Sequence, residues 1–147
     1  MEDLSLHVMD LAENSIRAGA SRIDILVEED VPNRRLTIVL KDNGRGMNAE
    51  TQVLALDPFY TSKEGKRVGL GLPLFRQSAE ETGGELTVES IPGKGTVVRA
   101  EFRTDHPDLK PLGDIEETVA LLRIFHPEVT FFLDREKKEP SRNGRQQ

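Results

Sequence analysis

A carboxylate followed by two closely spaced glycines, Asp42-Asn43-Gly44-Arg45-Gly46-Met47, stands directly after the strand-like residues 36–41. A strand fixes Asp42 in place, so its carboxylate can accept a hydrogen bond from an exocyclic amine such as that of adenine. Gly44 and Gly46 let backbone approach a flat ring. The same Asp-Asn-Gly also fits a plain turn. Upstream, Asp10, Asn14 and Arg17 are spaced four and three residues apart, so they project from one side of a helix. An Asn amide oxygen is a hard, neutral ligand suited to Mg²⁺, which keeps waters and phosphate oxygens in its shell, and Asn14 is the candidate metal ligand. Asp10, one turn earlier, can orient or deprotonate a water or hydroxyl that attacks a phosphoryl group, and Arg17 can balance phosphate charge. A solvated polar face is the competing reading of these three residues.

A third segment, Gly69-Leu70-Gly71-Leu72, comes immediately before a helix that Pro73 opens. Its free backbone amides and the helix's positive end converge on one spot, which suits a polyphosphate. Lys63, Lys66 and Arg67 lie just upstream, where they can swing onto the outer phosphates. Read alone, a Gly-Leu-Gly is also a flexible connector.

The elements that must hold these residues follow from periodicity. Leu4, Val8, Leu11 and then Ser15 or Ile16 recur at the spacing of one helical face, and the pattern ends at Gly19. Alternation at Ile23, Ile25 and Val27, and again at Leu36, Ile38 and Leu40, predicts a hairpin turned by Val31-Pro32-Asn33-Arg34. A short helix is expected over 48–56, a mobile lid over 57–71, and a helix from Pro73 to Thr82 stopped by Gly83-Gly84. Strands over 86–90 and 96–102 flank Pro92-Gly93-Lys94-Gly95 as a second hairpin. The economical architecture is α+β: a two-layer sandwich with a mixed, mostly antiparallel sheet and helices on one face, occupying 1–103. An extension over 104–133 is expected to add one helix, capped by Asp114 with Glu117, and one strand over 128–133, packed on the domain or forming an interface. The polar residues 134–147 read as a disordered tail.

Composition narrows the function. With 147 residues and 36% apolar content the chain suits one compact core. A net charge of -6 disfavours nucleic acid and anionic lipid as partners. No cysteine occurs, which removes disulfide and thiolate chemistry and fits the cytoplasm, and no signal peptide or membrane span can be drawn. His7, one turn from Asp10, lies about 10 Å along the helix from Asn14, far for an in-line phosphoacceptor. His106 and His126 precede prolines and read as turn residues, while Phe125, Phe131 and Phe132 read as core or interface packing.

Taken together, these segments resemble the GHKL ATPase superfamily, which groups the catalytic domains of gyrase, the large heat-shock chaperone, histidine kinases and MutL mismatch-repair proteins. The run 11–21, Leu-Ala-Glu-Asn-Ser-Ile-Arg-Ala-Gly-Ala-Ser, is similar to the family's N box in its MutL form, with Asn14 on the Mg²⁺-binding asparagine. Asp42 to Met47 resembles the first glycine box, residues 57–63 the phenylalanine box of histidine kinases, and Gly69 to Leu72 their second glycine box. Gly83-Gly84-Glu85-Leu86 with Gly93-Lys94-Gly95-Thr96 is similar to the kinase domain's closing hairpin. The resemblance implies ATP and Mg²⁺ as cofactors. It puts Asp42 on adenine with Thr96 nearby, Asn14 on the metal, Arg17 and Lys63 on phosphates, and the Gly69 and Gly71 amides beneath the lid.

Hydrolytic members carry a Glu four residues before the Asn, where this chain has Asp10, one methylene shorter. Histidine kinases carry their phosphoacceptor on a helical hairpin upstream, so transfer here is expected to need an acceptor presented by another polypeptide. The leading expectation is a stand-alone kinase-type module that passes the γ-phosphate of Mg·ATP to a protein partner. The alternatives are a MutL-type ATPase switch that dimerises or binds a partner on lid closure, and a nucleotide sensor with negligible hydrolysis.

Overall fold

A computed structural model describes residues 3–57 and 71–140. The chain runs α1 (Leu4–Arg17), β1 (Arg22–Asp30), β2 (Arg35–Asp42), α2 (Ala49–Ala55), α3 (Gly71–Glu81), β3 (Glu85–Ile91), β4 (Gly95–Arg103), α4 (Ile115–Phe125) and β5 (Thr130–Lys138). Five strands form one mixed sheet in the order β3-β4-β2-β1-β5, with three antiparallel pairs and a parallel β1·β5 pair. The fold is the expected α+β sandwich. Ile23, Ile25 and Val27 of β1, Leu36, Ile38 and Leu40 of β2, and Val98, Ala100 and Phe102 of β4 are all buried, so the period-2 pattern aims one face of the sheet at the helix layer. Against them pack Leu4, Val8 and Leu11 of α1, Phe75 of α3, and Ile115, Val119 and Leu122 of α4 in a single core. Burial of each such side chain stabilises the fold by roughly 1.5–3 kcal/mol.

Two element boundaries differ from the sequence expectation. Helix α3 contains Gly71 and Leu72, placing Pro73 third rather than first, a position still inside the first turn where its missing N–H is tolerated. Strand β5 continues five residues past Leu133 to Lys138, paired residue for residue with β1 as far as Asp30, so Asp134–Lys138 belong to the sheet and not to a tail. Charged residues are stable there because β5 is an edge strand, and Arg135 bonds Glu116 of α4 at 2.9 Å and faces Glu29 of β1 at 3.7 Å. The hydrogen bond from Arg135 holds the Glu116 carboxyl below its ordinary value. The tie is therefore present above the usual glutamate range and is released as pH falls through the lowered value. Residues 141–147 lie outside the described residues. Of the three phenylalanines in the extension, Phe131 is buried, whereas Phe125 and Phe132 are exposed. Among the described residues no helix is long and apolar enough to cross a membrane.

Candidate functional site

The site forms where the second half of α1 meets the end of β2. Asp42 shares strand parity with Leu36, Ile38 and Leu40, so the sheet turns its carboxylate inward, and it is only 9% exposed. Ser15 continues the buried face of Leu4, Val8 and Leu11 on α1 and is 4% exposed. A carboxylate in such a place needs hydrogen-bond donors, and it has three. Ser15 Oγ donates to Oδ2 at 2.6 Å, and the Gly44 and Thr96 amides donate to Oδ1 at 2.9 and 3.3 Å. A carboxylate offers about four acceptor positions, which leaves one for a ligand donor.

Asp42 borders a cavity of about 360 Å³, the lower end of the range for small-molecule sites. Its walls are apolar, with Leu11, Leu40, Leu72 and Val98, and its polar groups include Asn14, Arg17, Asp42 and Thr96. Gly46 and Met47 line it too, as do Thr51 and Ala55 of α2. Of the residues singled out in the sequence, Asn14, Arg17, Asp42, Gly46, Met47, Leu72 and Thr96 thus meet around one space. Gly44, Asp10 and Gly71 stand behind or beside it. Lys63, Arg67, Gly69 and Leu70, with most of the expected lid, lie outside the described residues.

The two glycines of the Asp42 loop are needed for a reason other than the approach of a flat ring. A Cβ on Gly46, where φ is +72°, would run into the Ile91 carbonyl of the second hairpin, and one on Gly44 would sit 2.9 Å from the Ala18 carbonyl oxygen. Protein backbone, not ligand, fills the space of the missing side chains. The loop is stitched down accordingly: Arg45 N–H donates to Ala18 O at 2.9 Å, Gly93 N–H to Arg45 O at 2.6 Å, and Met47 N–H to Ser90 Oγ at 2.7 Å. Ser90 also meets the Thr96 hydroxyl at 2.7 Å, which carries the network back to Asp42. Asn43 accepts the Ser21 and Arg22 amides, so it anchors β1 and does not face the cavity.

The other end of the site is more open. Asp10 is exposed and lies against the start of α3, where a Cβ on Gly71 would be 3.2 Å from its Oδ2. Helices α1 and α3 therefore touch through Asp10. Arg17 donates to the amide oxygen of Asn14, the atom expected to meet metal. Among the described residues no group of three His, Cys, Asp or Glu side chains could hold a metal ion by itself. One neutral oxygen at the cavity rim fits Mg²⁺ that arrives with phosphate oxygens and waters, not a cage of protein ligands. His7 is buried, its ring tilted against Phe75 with centroids 5.6 Å apart and its Nε2 3.4 Å from Ser78 Oγ, so it is a core residue between α1 and α3.

Sequence reasoning missed Ser15, Ser90 and the α2 wall. Ser15 offered a signal, since a hydroxyl in an apolar helical slot needs a buried polar partner.

A family model described as Histidine kinase-, DNA gyrase B-, and HSP90-like ATPase matches residues 2–106. The sensor histidine kinase YxdK of Bacillus subtilis is 27% identical over 110 residues, covering 69% of this chain and 33% of the relative. The DNA mismatch repair protein MutL of Gemmatimonas aurantiaca is 35% identical over 131 residues, covering 81% of this chain and 20% of the relative. The chain thus spans a third or less of the length of these relatives. The Aquifex aeolicus MutL ATPase domain complexed with ADP shares the fold, with a TM-score of 0.56 at 20% identity, over 99% of this chain and 67% of that one.

Proposed function

Since this chain belongs to the histidine kinase-, DNA gyrase B- and HSP90-like ATPase family, and so is an ATP-binding domain of the GHKL type, we propose that it binds Mg·ATP in the Asp42 cavity and passes the γ-phosphate to a partner protein. The observation that carries this reading is the Asp42 carboxylate, held by three donors with one acceptor position left, at the inner end of a cavity whose rim carries Asn14. In this reading the exocyclic amine of adenine donates to Asp42, while Leu11, Leu40, Leu72 and Val98 exclude water from the base. Mg²⁺, when bound with the nucleotide, neutralises phosphate charge. Asn14 turns its amide oxygen outward and Arg17 swings from it to phosphate. Asp10, beside the start of α3, accepts the proton of the partner protein's attacking hydroxyl as that oxygen bonds the γ-phosphorus and ADP leaves. The sensor kinases among the relatives support transfer to protein.

Incubation of the purified protein and a cell extract with ATP labelled in the γ-phosphate tests it. Label should pass to a discrete protein, and the transfer should vanish with Asp10→Ala. Release of phosphate without any labelled acceptor would instead favour the second reading, a MutL-type switch. That reading has its own support, because the MutL alignment extends over 81% of the chain against 69% for the kinase YxdK.

A further inference from the structure

Residues 107–140 lie outside the segment matched by the family model, yet they grip both helices that flank the cavity. At its start, α1 has four amides without intrahelical partners. Asp3 Oδ1 caps one of them, the Leu6 N–H at 3.2 Å, while the Leu4 and Ser5 amides donate to the Pro111 and Leu112 carbonyls at 2.8 and 2.9 Å. Lys110 reaches α3, with Nζ 3.1 Å from Ser78 Oγ and 3.5 Å from Glu81. Near the other end of α1, His126, the C-cap of α4, places Nε2 3.1 Å from the Glu13 carboxylate and Nδ1 3.7 Å from that of Glu128. A carboxylate facing a ring nitrogen at this distance accepts, so Nε2 carries the hydrogen. Glu13 is the residue before Asn14.

The geometry points to His126 as a positioning residue for Asn14: through Glu13 it fixes the roll of α1, and with it the amide oxygen that would meet the metal. This rests on the Mg·ATP reading above. The buried face of α1 sets where the helix lies, but an apolar face tolerates small rotations about the axis. Side-chain atoms lie about 6 Å from that axis, so a roll of ~10° moves them about 1 Å, enough to spoil a metal–phosphate contact. The Pro111 and Leu112 carbonyls hold the first turn, some two and a half turns from Asn14. On the turn that carries Asn14, Ser15 holds the sheet side through Asp42 and His126 holds another side through Glu13. Of the donors to Asp42, the Gly44 and Thr96 amides lie off α1, and Ser15 of α1 is bonded to Asp42 itself at 2.6 Å, so that bond is the pivot about which α1 turns when His126 is lost, and the base end keeps its donors while Asn14 moves.

The test is calorimetric titration of adenosine and of Mg·ATP into wild type, His126→Ala, His126→Gln, Glu13→Ala and the His126→Ala/Glu13→Ala double variant. We expect His126→Ala to weaken Mg·ATP about three- to tenfold with adenosine unchanged. His126→Gln, which keeps an N–H within reach of Glu13, should restore most of the affinity, and the double variant should lose no more than either single one. Equal losses for adenosine and Mg·ATP, or no loss while the wild type binds, would overturn the inference alone. If the wild type binds neither ligand, the Mg·ATP reading falls first and this one with it.

Discussion

The two ends of the cavity are built differently. At the inner end, Asp42 is tied to α1 through Ser15, to its own loop through Gly44 and to β4 through Thr96, so residues far apart in sequence share one buried polar network. At the outer end, Asn14 and Arg17 bond each other on a single exposed helical turn, and Asp10 merely leans on Gly71. The first arrangement is formed without a ligand, and on the proposed reading it is the end that selects the base. On the Mg·ATP reading proposed above, the contacts of the second are ones that a nucleotide replaces, and its energetics belong to the bound state. The contrast also separates the roles of the glycines, since Gly44 and Gly46 serve the rigid end by admitting neighbouring backbone, whereas Gly71 leaves room for Asp10 at the mobile-charge end.

Substitutions can break or sharpen this division. Asp42→Asn turns one carboxylate oxygen, Oδ2 facing Ser15 or Oδ1 facing the Gly44 and Thr96 amides, into an NH₂ that cannot accept, at a loss of about 2–3 kcal/mol, so adenosine and ATP should both weaken by ~30-fold or more in calorimetry. A loss confined to ATP would dissolve the distinction between the ends. Asn14→Ala should act at the outer end alone. A polar oxygen against a charged group contributes about 1.5–3 kcal/mol, so the roughly tenfold or greater gain in ATP affinity on adding Mg²⁺ should disappear while adenosine binding stays put. Ser15→Ala removes one of three donors to Asp42, about 1 kcal/mol, and should weaken every adenine ligand near fivefold irrespective of its phosphates. Smallest is Arg17→Ala. Its side chain is exposed, so a two- to threefold effect on ATP is expected at low salt, fading as ionic strength rises.

Much of the inner end was legible because it depends on local periodicity. The alternation of Leu36, Ile38 and Leu40 carries on to Asp42 and puts it on the core side of the strand. The partner that holds Asp42 was not legible, because Ser15 reads as a weak member of an apolar stripe and nothing local reveals a carboxylate 27 residues away. Spacing alone puts Asp10, Asn14 and Arg17 on one helical side, but it carries no sign that Arg17 occupies the oxygen of Asn14. Pairing between distant strands was equally hidden. Residues 134–138 are charged and look unfit for a core, yet an edge strand needs only one bonded neighbour, which β1 supplies in parallel register. Helix α3 starts two residues ahead of Pro73, which the sequence alone marks as its opening, because the whole first turn accepts proline.

The division between a preformed base site and a ligand-assembled phosphate site is tested most directly by titrating wild-type protein with adenosine and with ATP, each at millimolar Mg²⁺ and again with the metal chelated. Adenosine should bind saturably at one site with the same affinity in both conditions, and ATP should bind more tightly only when Mg²⁺ is present. Absence of adenosine binding at millimolar concentration, or an adenosine affinity that follows the metal, would contradict it.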